Sequence, residues 1–227
     1  MLHGQNCALT IAAASDLAPL RQKLADEFSQ AHGCKLTFTF ASSGQLASQI
    51  EQGAPYDLYL SASEDYVRKL SGAGFIESSS VTVFARGRLG LWAPGKAEPV
   101  KIRALSEAGY KKIAIANPAH APYGLAAKQA LVSAGVWEGL KPRLVLAENV
   151  RQALQFAETG NVDAVITAWS LVKERPGASA LDIELHKEIR QTLGILTSSK
   201  NKANSRIFSK WLASEKGRAL LVTAGFY

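Results

Sequence analysis

Residues suited to hydrogen-bonding an anion recur in this chain where strands give way to helices. In FASSGQLASQI, Phe40 to Ile50, an apolar run ends in Ser42, Ser43 and Gly44, and an amphipathic helical pattern follows at once. The first turn of a helix exposes N–H groups with no intrahelical acceptor, and the macrodipole adds positive potential there. A serine in such a place either caps the helix or joins its N–H groups in holding an anion. Three more junctions share this makeup: AAASD with Ser15, NPAHAPYG with Tyr123 and Gly124, and AENVRQAL with Asn149 and Val150. Their donors are hydroxyls and backbone N–H groups rather than basic side chains. Such donors suit a small, fully ionised oxyanion that accepts hydrogen bonds and has no proton to give.

Each residue alone has a plainer reading. A lone serine before a helix is a cap, and a tyrosine is a packing residue with a wet hydroxyl. Val150 can offer only its backbone N–H. Asp16 is expected to cap the first helix and turn away, because a carboxylate facing an anion would repel it. Only the four junctions taken together favour the anion.

The elements that must position these groups alternate between strand and helix. ALTIAAAS reads as a strand, followed by a helix over LAPLRQKLADEFSQAHG with Leu17, Leu20, Leu24 and Phe28 on one face. Pro19 falls in its first turn and Gly33 stops it. KLTFTFA, GQLASQIEQG, DLYLSA and EDYVRKLSGAG continue as strand, helix, strand, helix. A second series runs from VTVFARGRLGLW through KKIAIA, LAAKQALVSAG, PRLVLAENV, RQALQFAETG and VDAVITAWS. RQTLGILTSS returns to strand, and SRIFSKWLAS and KGRALLVTAG close the chain as helices. Such alternation implies parallel βαβ units and an α/β fold, whose ligands sit beyond the carboxyl ends of the strands. The four junctions fall there.

Composition narrows the partners. The 227 residues are 47% hydrophobic and 20% charged, as in ordinary globular chains, and no apolar run is long enough to span a membrane. The formal charge is +7, but the basic residues are scattered rather than gathered in a stripe, which argues against nucleic acid. The opening MLHGQN lacks the charged start and apolar core of a secretory leader. It reads as an appended start on a mature chain.

Two cysteines open similar segments, CALTIAAAS and CKLTFTFASS. If these are neighbouring parallel strands in matched register, Cys7 and Cys34 lie side by side and a disulfide is favoured, which suits an oxidising compartment. Two buried free thiols are the alternative.

AAASDL, FASSGQLASQIEQGAPYDLYLSA, NPAHAPYGLAAKQAL and AENVRQAL resemble, in order and spacing, the periplasmic molybdate-binding proteins of bacterial ABC importers. The resemblance runs from about Leu9 to the terminal AGF. It implies the type II periplasmic-binding architecture: two Rossmann-like α/β lobes joined by two crossing strands, with the ligand cleft between them. The expected lobes are residues 1–83 plus 193–227 and residues 84–192. Ser15 and Ser43 are then hydroxyl donors, with backbone donors at Tyr123 and Val150, and the bound ligand is molybdate or tungstate. No cofactor and no direct metal ligands are implied, since the metal arrives inside its oxyanion. The implied partner is an ABC transporter membrane permease, for a periplasmic monomer that neither inserts in the membrane nor binds nucleic acid. One departure stands out. Many members carry a ligand-binding tyrosine where this chain has Ala168, so the phenolic contact is assigned to Tyr123.

Other readings compete. A sulfate- or phosphate-type site would favour a carboxylate acceptor for a protonated anion, and Asp16 is the only candidate. The ligand-sensing domain of a regulator would share the fold, but no helix-turn-helix segment precedes Leu9. Catalysis is disfavoured: His3, His32, His120 and His186 form no recognisable pattern with a serine, and neither a Gly-x-Ser-x-Gly elbow nor a P-loop occurs.

Overall fold

The computed structural model describes residues 7–227; the opening Met1–Asn6, with His3, lies outside the described residues. The chain divides into two units, the first taking the residues up to Ala85 and then Arg190–Gly225, the second taking Arg86–Ile189. In chain order the first unit begins with β1 (Cys7–Ala14), α1 (Arg21–His32), β2 (Cys34–Ala41), α2 (Ser43–Glu51), β3 (Leu58–Ser61), α3 (Glu64–Gly72) and β4 (Thr82–Gly87). There follow β5 (Leu89–Trp92), β6 (Ile113–Ala116), α4 (Pro122–Ser133), α5 (Trp137–Leu140), β7 (Leu144–Ala147), α6 (Val150–Glu158), β8 (Ala164–Ala168), α7 (Trp169–Val172) and β9 (Ser179–Ala180). The return is made by β10 (Ile189–Ile195), α8 (Lys202–Leu212) and α9 (Glu215–Thr223).

One five-stranded sheet has the order β2-β1-β3-β10-β4, with β1 parallel to β2 and β3, and β10 antiparallel to β3. The β1–β2 register runs unbroken from Cys7 opposite Cys34 to Ala14 opposite Ala41. Both strands therefore end level, and Ser15 and Ser42 leave the sheet at the same edge. At the other end a disulfide joins Cys7 to Cys34, with Cα atoms 4.5 Å apart. Leu46, Ala47 and Ile50 line one face of α2 and pack with Tyr59 and Val67. Burying side chains the size of Leu46 and Ile50 stabilises by about 1.5–3 kcal/mol each. Phe208 and Trp211 of α8 meet Phe28 of α1 edge-on, so the returning helices close the core of this unit.

The second sheet has the order β7-β6-β8-β5-β9. Its β6 is parallel to β7 and β8, and β5 is antiparallel to β8 and β9. Ala153, Leu154 and Ala157 of α6 bury against Ala114, Val165 and Val172. Both sheets are thus mixed, each with a parallel βαβ core flanked by antiparallel strands.

The start of the first helix differs from the expected one. Ser15–Leu20 forms 3-10 turns containing Pro19, and regular α-helix begins only at Arg21. Leu17 and Leu20 are both buried, and a three-residue turn puts positions three apart on one face.

Candidate functional site

In the first unit the neighbouring serines have separate roles. Ser42 is the N-cap of α2 in a capping box: its Oγ accepts from Gln45 N at 3.4 Å, while its own N–H donates to Gln45 Oε1 at 3.2 Å. Ser43 is the first helical residue and is fully enclosed. Its Oγ accepts the N–H of Ala62 at 3.0 Å, from the loop after β3. The hydroxyl keeps a proton that it can donate in another direction. Its carbonyl accepts from the Tyr59 hydroxyl at 2.7 Å. Burial pushes the Tyr59 phenol well above its ordinary range, so it keeps the proton that makes this bond.

Ser15 follows β1 directly. It is only 3% exposed, and its Oγ has no hydrogen-bond partner among the described residues. A buried hydroxyl without a partner costs about 1–3 kcal/mol, a cost that a ligand acceptor would remove. Asp16 departs from its expected role. The residue at the cap position is Ala14, with no side-chain cap bond, and the buried Asp16 carboxylate instead accepts from the Gln191 amide of β10. A 3-10 turn entered straight from a strand thus leaves Asp16 buried against Gln191 of β10.

In the second unit, α4 begins one turn earlier than the apolar periodicity predicts, at Pro122. Ala121 supplies no side-chain cap and Pro122 has no N–H, so Tyr123 and Gly124 carry the first N–H groups of this helix. A Cβ on Gly124 would come within 2.1 Å of the Ala116 carbonyl, so only glycine lets α4 start so close to the end of β6. The Tyr123 phenol is buried, and its hydroxyl lies where a Cβ on Gly87 would come within 2.1 Å of it. Ala168 ends β8 and is fully buried.

Val150 opens α6. The cap here is Asn149, whose Oδ1 accepts from Arg151 N at 3.0 Å and Gln152 N at 3.1 Å. The cap thus takes the second and third N–H groups of the helix, and the Val150 N–H is not among those it holds. The Val150 carbonyl accepts from the Thr167 hydroxyl of β8 at 2.9 Å. Just outside, His120 Nε2 stands 3.8 Å from a carboxylate oxygen of Glu148. Among the described residues no group of histidine, cysteine and carboxylate side chains could hold a metal ion, and no helix is long and apolar enough to cross a membrane.

Each unit thus gathers neutral donors at the carboxyl end of its parallel strands: Ser15 and Ser43 in one, the starts of α4 and α6 in the other. Tyr59 and Thr167, which hold two of these starts, were not singled out from sequence. Within DLYLSA and VDAVITAWS they look like ordinary strand residues, and only the tertiary contact marks them.

The family model of bacterial extracellular solute-binding proteins matches residues 9–227. The chain belongs to that family. Among similar solute-binding proteins, the molybdate-binding protein ModA of Azotobacter vinelandii is 31% identical, over 98% of this chain and 90% of that protein. ModA of Rhodobacter capsulatus is 31% identical, over 88% of this chain and 80% of that protein. The solved periplasmic molybdate-binding protein of Azotobacter vinelandii superposes with a TM-score of 0.89 at 30% identity, covering 96% of this chain and 98% of that one. The two mixed α/β units are therefore those of a solute-binding protein, a family whose members capture a ligand.

Proposed function

We propose that this protein is an extracytoplasmic solute-binding protein that captures molybdate and delivers it to the membrane permease of an ABC importer. Tungstate, of the same shape and charge, is a second ligand of the same site. The Ser15 and Ser43 hydroxyls and the N–H groups of Tyr123 and Val150 are the oxyanion donors in this reading, and the protein acts as a periplasmic monomer without a cofactor. The observation that carries this reading is Ser43, a buried hydroxyl on the first residue of α2 whose Oγ accepts Ala62 N–H and which still has a proton to donate. The partnerless Ser15 hydroxyl and the names of the ModA relatives support it. Phosphate retains a proton near neutrality and would need a carboxylate acceptor. Asp16 is the carboxylate such a site would use; it is buried, and one of its oxygens accepts from Gln191. Sulfate has shorter bonds than molybdate, and a cage fitted to the larger ion would leave it with stretched hydrogen bonds.

A ligand at 100 times its Kd adds about 2.7 kcal/mol of stability, which for a chain of this size raises the melting temperature by roughly 5–10 °C. Molybdate and tungstate are expected to give that shift, and sulfate and phosphate at equal concentration little. A melt unmoved by both metal oxyanions would overturn the reading.

A further inference from the structure

The two units share a device at their helix starts. In the first, the hydroxyl of Tyr59 on β3 donates to the carbonyl of Ser43, the first residue of α2. In the second, the hydroxyl of Thr167 on β8 donates to the carbonyl of Val150, the first residue of α6. Both donors are fully buried, each on a strand one removed from the one that leads into its helix: β1 lies between β2 and β3, and β6 lies between β7 and β8. Neither bond belongs to a helix ladder or a capping interaction, since Ser42 and Asn149 perform the capping.

We propose that Tyr59 and Thr167 are positioning residues for the oxyanion site, each locking the first residue of a ligand-binding helix so that its donor is aimed before the ligand arrives. The inference rests on Ser43 and Val150 being ligand donors, as proposed above. A peptide unit is planar, so fixing a carbonyl oxygen fixes the ψ of its residue and the N–H of the next. At Ser43 that leaves the backbone no freedom to carry the hydroxyl off its line, with Ala62 N–H holding the oxygen itself. At Val150 the contribution is the N–H on the other side of the residue from the held carbonyl, with no rotamer to adjust, so Thr167 acts on it by fixing the position of the first residue of α6. Donors held in place in advance spend less ordering entropy on binding, which raises affinity without a new ligand contact.

The test is calorimetric titration of molybdate into the full chain and into Tyr59→Phe, Thr167→Val, Thr167→Ser, Ser43→Ala and the double variant Ser43→Ala/Tyr59→Phe. Phe and Val keep the buried volume, so these proteins should fold, and a melt of each apo form checks it. Tyr59→Phe and Thr167→Val should each weaken binding about fivefold, the equivalent of about 1 kcal/mol. Thr167→Ser restores the hydroxyl and should bind within about twofold of the parent. Because Tyr59 acts through Ser43, its loss should cost little further affinity once Ser43 is alanine, whereas a general weakening of the fold would add in full. Parent affinity in Tyr59→Phe and Thr167→Val, with Ser43→Ala weakened, would overturn the positioning role alone. A full additive loss in the double variant, or no rescue by Thr167→Ser, would overturn it as well. Parent affinity in Ser43→Ala would overturn the reading of the site on which it rests.

Discussion

Ser15→Ala and Ser43→Ala are each expected to bind molybdate about 10- to 150-fold more weakly than the parent chain, while Ser42→Ala binds as the parent does. A hydrogen bond to a charged, desolvated acceptor is worth about 1.5–3 kcal/mol, and each 1.4 kcal/mol is a factor of ten in affinity. Ser15 has a buried hydroxyl without a partner among the described residues, and Ser43 has a buried hydroxyl whose oxygen accepts Ala62 N–H. Both have a proton to offer. Ser42 spends its side chain on Gln45. Its replacement should cost about 1 kcal/mol of stability as a lost cap, lowering the melting temperature by roughly 2–4 °C. Titration calorimetry and apo melts on the three variants separate the roles. Parent affinity in both Ser15→Ala and Ser43→Ala would mean that these serines do not hold the ligand.

Opening the Cys7–Cys34 bridge is expected to lower the melting temperature on the order of 10 °C and leave molybdate affinity unchanged. The bridge closes a loop of sequence separation 27. Constraining a loop of that length in the unfolded chain stabilises by about 3–4 kcal/mol. It also clasps β2, an end strand of its sheet, to β1 at the first pair of their shared register. The cysteines begin these strands and Ser15 follows the end of β1, roughly 25 Å away at a strand's rise per residue. Melting the double variant Cys7→Ser/Cys34→Ser beside the oxidised parent measures the first effect, and titration of both proteins the second. Equal melts would show that the bridge contributes no stability.

Much of the architecture was legible because the strands announce themselves. Apolar runs such as LTIAAA, IAIA and AVITA, separated by helical periodicity and glycine stops, leave little besides an α/β arrangement, and both sheets have the parallel core this implies. The antiparallel partners β5 and β10 were legible only as strands, since their direction depends on where the chain turns. The first helix was misread as regular from Leu17, because an i, i+3 pair such as Leu17 and Leu20 suits a 3-10 turn as well as an α-helix. Asp16 was misread with it. An acidic residue at a helix mouth is an N-cap by local rules, and Gln191, the partner that claims it, lies 175 residues further along the chain.

The order of elements, the places where strands hand over to helices, and the supply of neutral donors at those places are local properties of the chain. These follow from periodicity and residue type within short windows, where local chemistry suffices. Only the tertiary structure decided which hydroxyl does what. Ser42 and Ser43 are adjacent and chemically identical; one faces Gln45 three residues ahead, the other Ala62 from the loop after β3. Tyr59 and Thr167 likewise acquire their partners across the sheet, 16 and 17 residues away. A hydroxyl can donate and accept in almost any direction, so its type announces capacity alone. The direction is set by what the fold brings within about 3 Å of it.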